Sequence, residues 1–367
     1  MAVAASFLML HSCSNDEALP GEQAPAVYIP GDSEVEIKLG AGSVSLATGE
    51  VRAAVTGDDA DLDHMGIFCL AKAKQDADAA IPDIAWFGNS VKVAGCIMDN
   101  VEAKKEGQNI SWLSDVSYFY PISQFYTYDF YGYYPYAKEA VAYTDNSVRV
   151  QYTLDGTQDL IWGRATSSDP YAYSAKYFRT EETHDVLPQL ELKHLLTRLQ
   201  FFVKPGADLE NGDTAEEAAE MQVTGILVTD AHTEVDMIVA DYQQLNMPLE
   251  ARLALRSEET DTVALCNAEG LPFDTIQVGG DLTVSQQAGE SMMLYPASEY
   301  TVRIFLRNGE TGHEFIIEKP LALQAGGFKA GTTYKITVTV HGPNVIGLQA
   351  TLAPWVPSEG DNPEIEL

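Results

Sequence analysis

The chain has 367 residues, 46% of them hydrophobic and 21% charged, a balance that excludes wholesale disorder and a polytopic membrane protein and suits two domains of about 100–200 residues. Lys and Arg total 22 against 54 Asp and Glu, which leaves a net charge of −32. A surface this acidic repels phosphate backbones and anionic headgroups, so it argues against nucleic-acid partners.

Residues 2–10, AVAASFLML, form an apolar run of signal-peptide length, too short to cross a bilayer. Leu10-His11-Ser12-Cys13 follows and resembles a bacterial lipobox. A small residue before the cysteine fits the signal peptidase, and the freed Cys13 thiol accepts diacylglycerol, with palmitate completing the anchor. No Lys or Arg precedes the run, and His11 is unusual at its place; these are departures from the pattern. Ser14–Glu17 resembles the acidic tag that directs some lipoproteins of Gram-negative anaerobes to the cell surface. Residues 1–13 therefore read as a lipoprotein signal peptide and 14–32, rich in Pro, Gly, Glu and Ala, as a flexible tether. Membrane contact is expected only through the lipid.

Residues 34–39 alternate, with Val35, Ile37 and Leu39 on one side and Glu34, Glu36 and Lys38 on the other, the signature of a half-buried strand. A shorter alternation at Val44 and Leu46 precedes Val51-Arg52-Ala53-Ala54, where the first arginine of the chain stands among small residues. Asp59, Asp61 and Asp63 begin like a calcium loop. His64 replaces the glycine and Leu70 the bidentate glutamate that such a loop needs, so a solvated acidic turn is expected.

Between Tyr118 and Tyr136 stand eleven Tyr or Phe residues. Flat rings stacking on sugars would make this a glycan-binding platform; rings filling a β core are the commoner arrangement. Period-2 patterning recurs at Val148–Leu154, Leu199–Val203, Val302–Leu306 and Tyr334–Val340. Pro205-Gly206, Asn211-Gly212, Gly279-Gly280 and Gly326-Gly327 punctuate these runs, and Asn308-Gly309 marks a hairpin with an enlarged loop. Residues 214–221 read as one short exposed helix. The class is all-β, with two β-sandwiches in tandem. The polar stretch Arg179–Asp185 places the break, giving an N-terminal domain over 33–182 and a C-terminal domain over 183–367.

Beyond Cys13, the cysteines are Cys69, Cys96 and Cys266, an odd number that cannot form a disulfide framework. A Cys69–Cys96 bridge and small buried thiols are the two alternatives. No GxSxG, HExxH, Walker or GxGxxG motif occurs, and the seven histidines lack metal-ligand spacing. His194, beside Lys193, reads as a packed or edge histidine. An enzyme is not expected, nor any catalytic residue, metal or cofactor.

Several segments, in order, carry a resemblance. Phe130-Tyr-Gly-Tyr-Tyr134-Pro135, Asp159-Leu-Ile-Trp162-Gly163, Leu192-Lys-His194-Leu-Leu-Thr-Arg-Leu199, Phe328-Lys-Ala-Gly331-Thr-Thr-Tyr334-Lys-Ile336 and Trp355 resemble successive motifs of the fimbrillin family. These are the lipoprotein pilins of type V pili. Gly132, Trp162-Gly163 and Leu192 depart from the usual residues, which leaves the subunit type open.

The resemblance implies two transthyretin-like β-sandwich domains and a pilin or accessory subunit of a surface fimbria that supports adhesion. It implies an outer-membrane lipoprotein that a trypsin-like protease trims before donor-strand exchange with other subunits, and a host protein or glycan receptor. A surface glycan-binding lipoprotein is the alternative. On this reading the cut falls between Arg52 and Ala53. Leu348, Ala350 and Leu352, then Ile365 and Leu367, alternate as a donor strand must. Pro354, Pro357 and Pro363 divide that donor into two short stretches.

Overall fold

The computed structural model describes residues 35–42, 61–73, 86–87, 95–121, 126–169, 171–207, 218–279, 281, 283–323, 326–343 and 346–353. Almost all regular structure there is strand. In chain order the first strands are β1 (Gly40–Ala41), β2 (Leu62–Ala73), β3 (Cys96–Glu106), β4 (Asn109–Trp112), β5 (Tyr126–Tyr134), β6 (Val141–Thr144), β7 (Ser147–Thr153), β8 (Ile161–Ala165) and β9 (Gln189–His194). Then come β10 (Thr197–Pro205), β11 (Met221–Ala231), β12 (Glu234–Asp241), β13 (Leu253–Leu255), β14 (Asp261–Ala264) and β15 (Ile276–Gln277). The last are β16 (Gln286–Leu294), β17 (Glu299–Asn308), β18 (Glu314–Ala322), β19 (Thr332–Val340) and β20 (Ile346–Ala353).

The strands sort into a closed barrel, β1-β4-β3-β2-β5-β8-β9, and three open sheets, β13-β12-β7-β6, β16-β10-β19-β20 and β14-β11-β17-β18. The alternation seen in sequence sets the buried faces. Leu199, Phe201 and Val203 of β10, Val302, Ile304 and Leu306 of β17, and Tyr334, Ile336, Val338 and Val340 of β19 share one buried cluster. Two sheets thus meet over a common core, as in a sandwich. The hairpin at Asn308-Gly309 is present, with Arg307 opposite Glu314.

The other cluster, first in chain order, fills the barrel and the space between it and β13-β12-β7-β6. It extends past the expected boundary at 182/183. The first cluster continues through Leu190, Leu192, Leu195 and Leu196, and it takes back Val235, Met237, Val239 and Leu253. The cause is strand pairing across the expected boundary: β12 lies antiparallel to β7, with Val235 opposite Tyr152 and Met237 opposite Val150.

Three local expectations meet the structure in different ways. Of the helix expected at 214–221, residues 218–219 are helical, but Ala218 and Met221 are fully buried and Met221 begins β11; residues 214–217 lie outside the described residues. Of the expected acidic turn, Asp59 and Ala60 lie outside the described residues; Leu62 and Asp63 belong to β2, and Asp61, exposed like Asp63, accepts a hydrogen bond from the Gly107 amide at 3.1 Å. Cys69 and Cys96 are free thiols on neighbouring strands, with Met98 rather than Cys96 opposite Cys69. Of the two alternatives for these cysteines the structure shows the thiols, Cys69 fully buried and Cys96 half-buried.

Candidate functional site: the seam of the barrel

The barrel is closed by its shortest strand. β1 has two residues, with Gly40 antiparallel to Asn109 of β4, and with Gly40 and Ala41 parallel to Gln189 and Leu190 of β9. Gly40 fits because the approach is close: a Cβ there would stand 2.5 Å from Nε2 of Gln189.

Backbone bonds extend this seam along residues 35–42. On one side Tyr120 N donates to Val35 O at 2.9 Å, Ile37 N to Tyr118 O at 2.8 Å, Ile110 N to Leu39 O at 3.2 Å and Ala41 N to Gln108 O at 3.1 Å. On the other side Gly40 N donates to Pro188 O at 2.8 Å and Gly42 N to Leu190 O at 3.2 Å. Ile37, Leu39 and Ala41 are buried in the barrel core, while Glu36 and Lys38 are exposed, as the alternation requires. Lifting this segment out would uncover apolar residues on both flanks and leave two rows of backbone groups unpaired.

Burial on both faces of β5 explains the aromatic run. β5 is buried along nearly its whole length, with Tyr128, Phe130, Tyr131 and Tyr133 at 0–1% exposure. Tyr120 stacks on Phe178 with centroids 5.1 Å apart and meets Phe130 edge-on at 6.3 Å; Phe178 in turn stacks on Tyr173 at 5.9 Å. These rings are core, so no sugar-binding platform is formed by β5. Burial pushes the Tyr173 hydroxyl up to about 12 and those of Tyr128, Tyr131 and Tyr133 further in the same direction.

One face of β5 carries charge. Asp129, 1% exposed, takes Lys72 Nζ at 2.9 Å and the Arg164 guanidinium, whose Nη1 also donates to Leu245 O at 2.6 Å. Nearby Arg252 is fully buried over the Trp162 ring at 4.1 Å, and desolvation lowers its guanidinium to about 10. Trp162 Nε1 donates to Val239 O at 2.8 Å. These contacts bind the barrel to β12 and to the loop before β13. Sequence reading missed this layer, because charged residues in a patterned strand are counted as solvent-facing.

His194 is buried as expected, with Nδ1 2.6 Å from Oδ2 of Asp159. Among the described residues no group of three or more His, Cys, Asp or Glu stands ready for a metal ion. The candidate donor residues divide. Leu348, Ala350 and Leu352 lie in β20, opposite Val338, Ile336 and Tyr334 of β19, and Leu348 and Ala350 pack against the second core. Cys13, Arg52, Ala53, Ile365 and Leu367 lie outside the described residues. Of the strips that grip the seam, 118–120 opens the aromatic run noted in the sequence, whereas 108–110 and 188–190 were not singled out; Leu190 and Leu192, both buried, are the signal that could have found the latter.

A comparison of the sequence with protein families matches the fimbrillin-like family over residues 52–355. No curated protein matches the chain in sequence. Among solved structures, a candidate cell adhesion protein from Bacteroides eggerthii shares 11% identity, covering 90% of this chain and 98% of that one with a TM-score of 0.43. Another from Bacteroides fragilis shares 13% identity over 89% of this chain and 99% of that one, with a TM-score of 0.36. The fimbrial anchor protein Mfa2 from Porphyromonas gingivalis shares 10% identity over 87% of this chain and 98% of that one, with a TM-score of 0.37.

Proposed function

The chain belongs to the fimbrillin-like family, and from that premise we propose that it is a structural, non-enzymatic subunit of a cell-surface fimbria, assembled by strand exchange at the barrel seam. One observation carries the reading: residues 35–42 close the barrel, 39–42 lying between strips of chain on both sides and 35–37 against one, with Ile37, Leu39 and Ala41 in the core. Arg52 stands in the chain between that segment and β2. A trypsin-like protease needs a long cationic side chain for its acidic specificity pocket. A cut between Arg52 and Ala53 severs the segment from the rest of the barrel, so that it is then held by non-covalent contacts alone.

A strand from another subunit with apolar residues at every second position can take the vacated place. The C-terminal segment is the donor in this scheme. Leu348, Ala350 and Leu352 serve only after leaving β19, whereas Ile365 and Leu367 lie beyond that ladder in sequence. The family's plan of two transthyretin-like sandwiches fits the two buried clusters if the first sandwich is rolled shut by residues 35–42. Cys13 is the lipid anchor on the outer membrane, and adhesion to a host protein or glycan is the role of the assembled fibre.

The test is to treat purified chain with a trypsin-like protease and sequence the new N-terminus. Ala53 at the start is expected, with heat-sensitive high-mass ladders on gels that vanish when residues 346–367 are deleted. A chain that resists cutting at Arg52, or that polymerises equally well without its tail, overturns the scheme. For the anchor, Cys13→Ala in the native host should release the protein from the membrane fraction; unchanged fractionation with no fatty-acid label on the wild type refutes lipidation.

A further inference from the structure

The seam is not gripped evenly. Residues 39–42 are hydrogen-bonded on both flanks, to 108–110 and to 188–190. Residues 35–37 are bonded on one flank only, to Tyr118 and Tyr120. Neighbouring residues of a strand aim their amides to opposite sides. Since Val35 and Ile37 face 118–120, the N–H and C=O groups of Glu36 and Lys38 face the other way, and among the described residues none of these backbone groups has a backbone partner. What lies there is a cleft of about 200 Å³ bordered by Val35, Tyr120, Phe178 and Val186, with Glu36, Lys38 and His184 at its rim. The aromatic stack of Tyr120, Phe178 and Tyr173 forms a firm apolar wall, and Val186 is 39% exposed.

We infer that this cleft is the place where an incoming subunit's strand first docks, before the resident segment leaves, and that the docking residues are Ile365 and Leu367 of a second copy. The inference rests on the strand-exchange reading and adds to it where exchange begins. The cleft joins an exposed β-edge to an apolar wall, the two features that strand addition uses. Ile365 and Leu367 stand two positions apart, about 6.6 Å in an extended chain, which matches the spacing of Glu36 and Lys38 along the open edge.

They are preferred over Leu348–Leu352 because the latter already pair with β19 over the whole of β20. Glu364 and Glu366 flank the docking pair, and Lys38 is the cation at the rim; Glu36 there accepts from the Ser117 hydroxyl at 2.8 Å and keeps its charge, and Asp185 stands 3.0 Å from His184. Once docked, the strand can extend along the seam, replacing contacts of 39–42 one after another rather than waiting for the whole segment to detach.

The experiment follows the polymerisation rate of the full chain after a trypsin-like cut. Val186→Trp fills the cleft from an exposed position and should leave the thermal midpoint of the uncut chain in place. The initial rate should fall about tenfold or more, the equivalent of losing one buried aliphatic contact, while final polymer mass is retained. The double variant Ile365→Asp, Leu367→Asp should slow assembly as much. Polymers formed at the wild-type rate by Val186→Trp overturn the docking site and leave strand exchange standing. Wild-type speed in the double variant, with loss of assembly when 346–353 is deleted, shows that β20 is the occupant and overturns the assignment to Ile365 and Leu367. A wild-type chain that is cut but never polymerises refutes the exchange reading itself.

Discussion

Two terminal strands of this protein are tied down in opposite ways. Residues 35–42 close a barrel, flanked on both sides at 39–42, with a ladder of two residues and three side chains in the core. Among the described residues β20 lies at the edge of an open sheet, paired with β19 alone over eight residues. The first strand depends on burial and the second on its backbone ladder. Removing the first opens a groove with two rows of unpaired groups; removing the second merely moves the edge of a sheet inward by one strand. A strand whose loss creates an acceptor and a strand whose loss does little harm are the two parts that subunit exchange requires.

The largest effect expected from this contrast is at Ile37. Ile37→Asp puts a carboxylate at a 1% exposed core position and should destabilise the chain by about 4–5 kcal/mol in denaturant titration. If it costs no more than Leu348→Asp, the two strands are held alike and the contrast fails. Next comes the charged layer. Asp129→Ala leaves Lys72 and Arg164 without their shared carboxylate and should cost about 3 kcal/mol. Glu318→Ala removes the partner of Arg303, but both side chains are more than a third exposed, so the loss should stay below about 1 kcal/mol. Leu348→Ala, at a half-buried edge position, should cost about 1 kcal/mol and shorten polymer yield more than it lowers stability.

The smallest effect near neutrality appears only at high pH. A tyrosine whose folded pKa is raised keeps its proton in the folded chain when the unfolded chain has lost it. Its stabilising contribution is complete below about pH 10 and fades as pH rises toward the folded value. The barrel region carries Tyr128, Tyr131, Tyr133, Tyr152 and Tyr173, all pushed up by burial, the last to about 12. Arg252, which desolvation lowers to about 10, acts with the opposite sign. Five tyrosines against one arginine leave a net loss. Fluorescence of Trp86, Trp112 and Trp162, all in or packed against the first core, should therefore report unfolding between pH 10 and 12. Survival of that signal beyond pH 12, with the second core lost first, would reverse the comparison.

Much of this was legible in the chain, and the reason differs by element. The alternation at 34–39 identified Ile37 and Leu39 as buried because period 2 depends only on which face meets the core. The same rule located β7, β10, β17 and β19. The aromatic run was readable as core because eleven large rings in nineteen positions exceed what one exposed face can carry without aggregating. Asp129 and Arg252 were not readable as buried. A charged residue enters a core only when a partner from elsewhere in the chain meets it, and neither Arg164 nor the Trp162 ring is near in sequence to the residue it holds.

The residue pattern alone determined the all-β class, the inward faces of β7, β10, β17 and β19, the hairpin at 308–309 and the family. Only the tertiary structure decided that β12 returns to pair with β7, that the first core is shut into a barrel by two residues of β1, and that the closing segment is open along one flank beside Phe178 and Val186. The physical reason is the same in each case. Alternation reports whether a side chain leaves water, a property of one residue and its local backbone. Which strand becomes its neighbour is settled by register and volume among segments up to about 150 residues apart, where many pairings bury the same apolar area and close packing selects one.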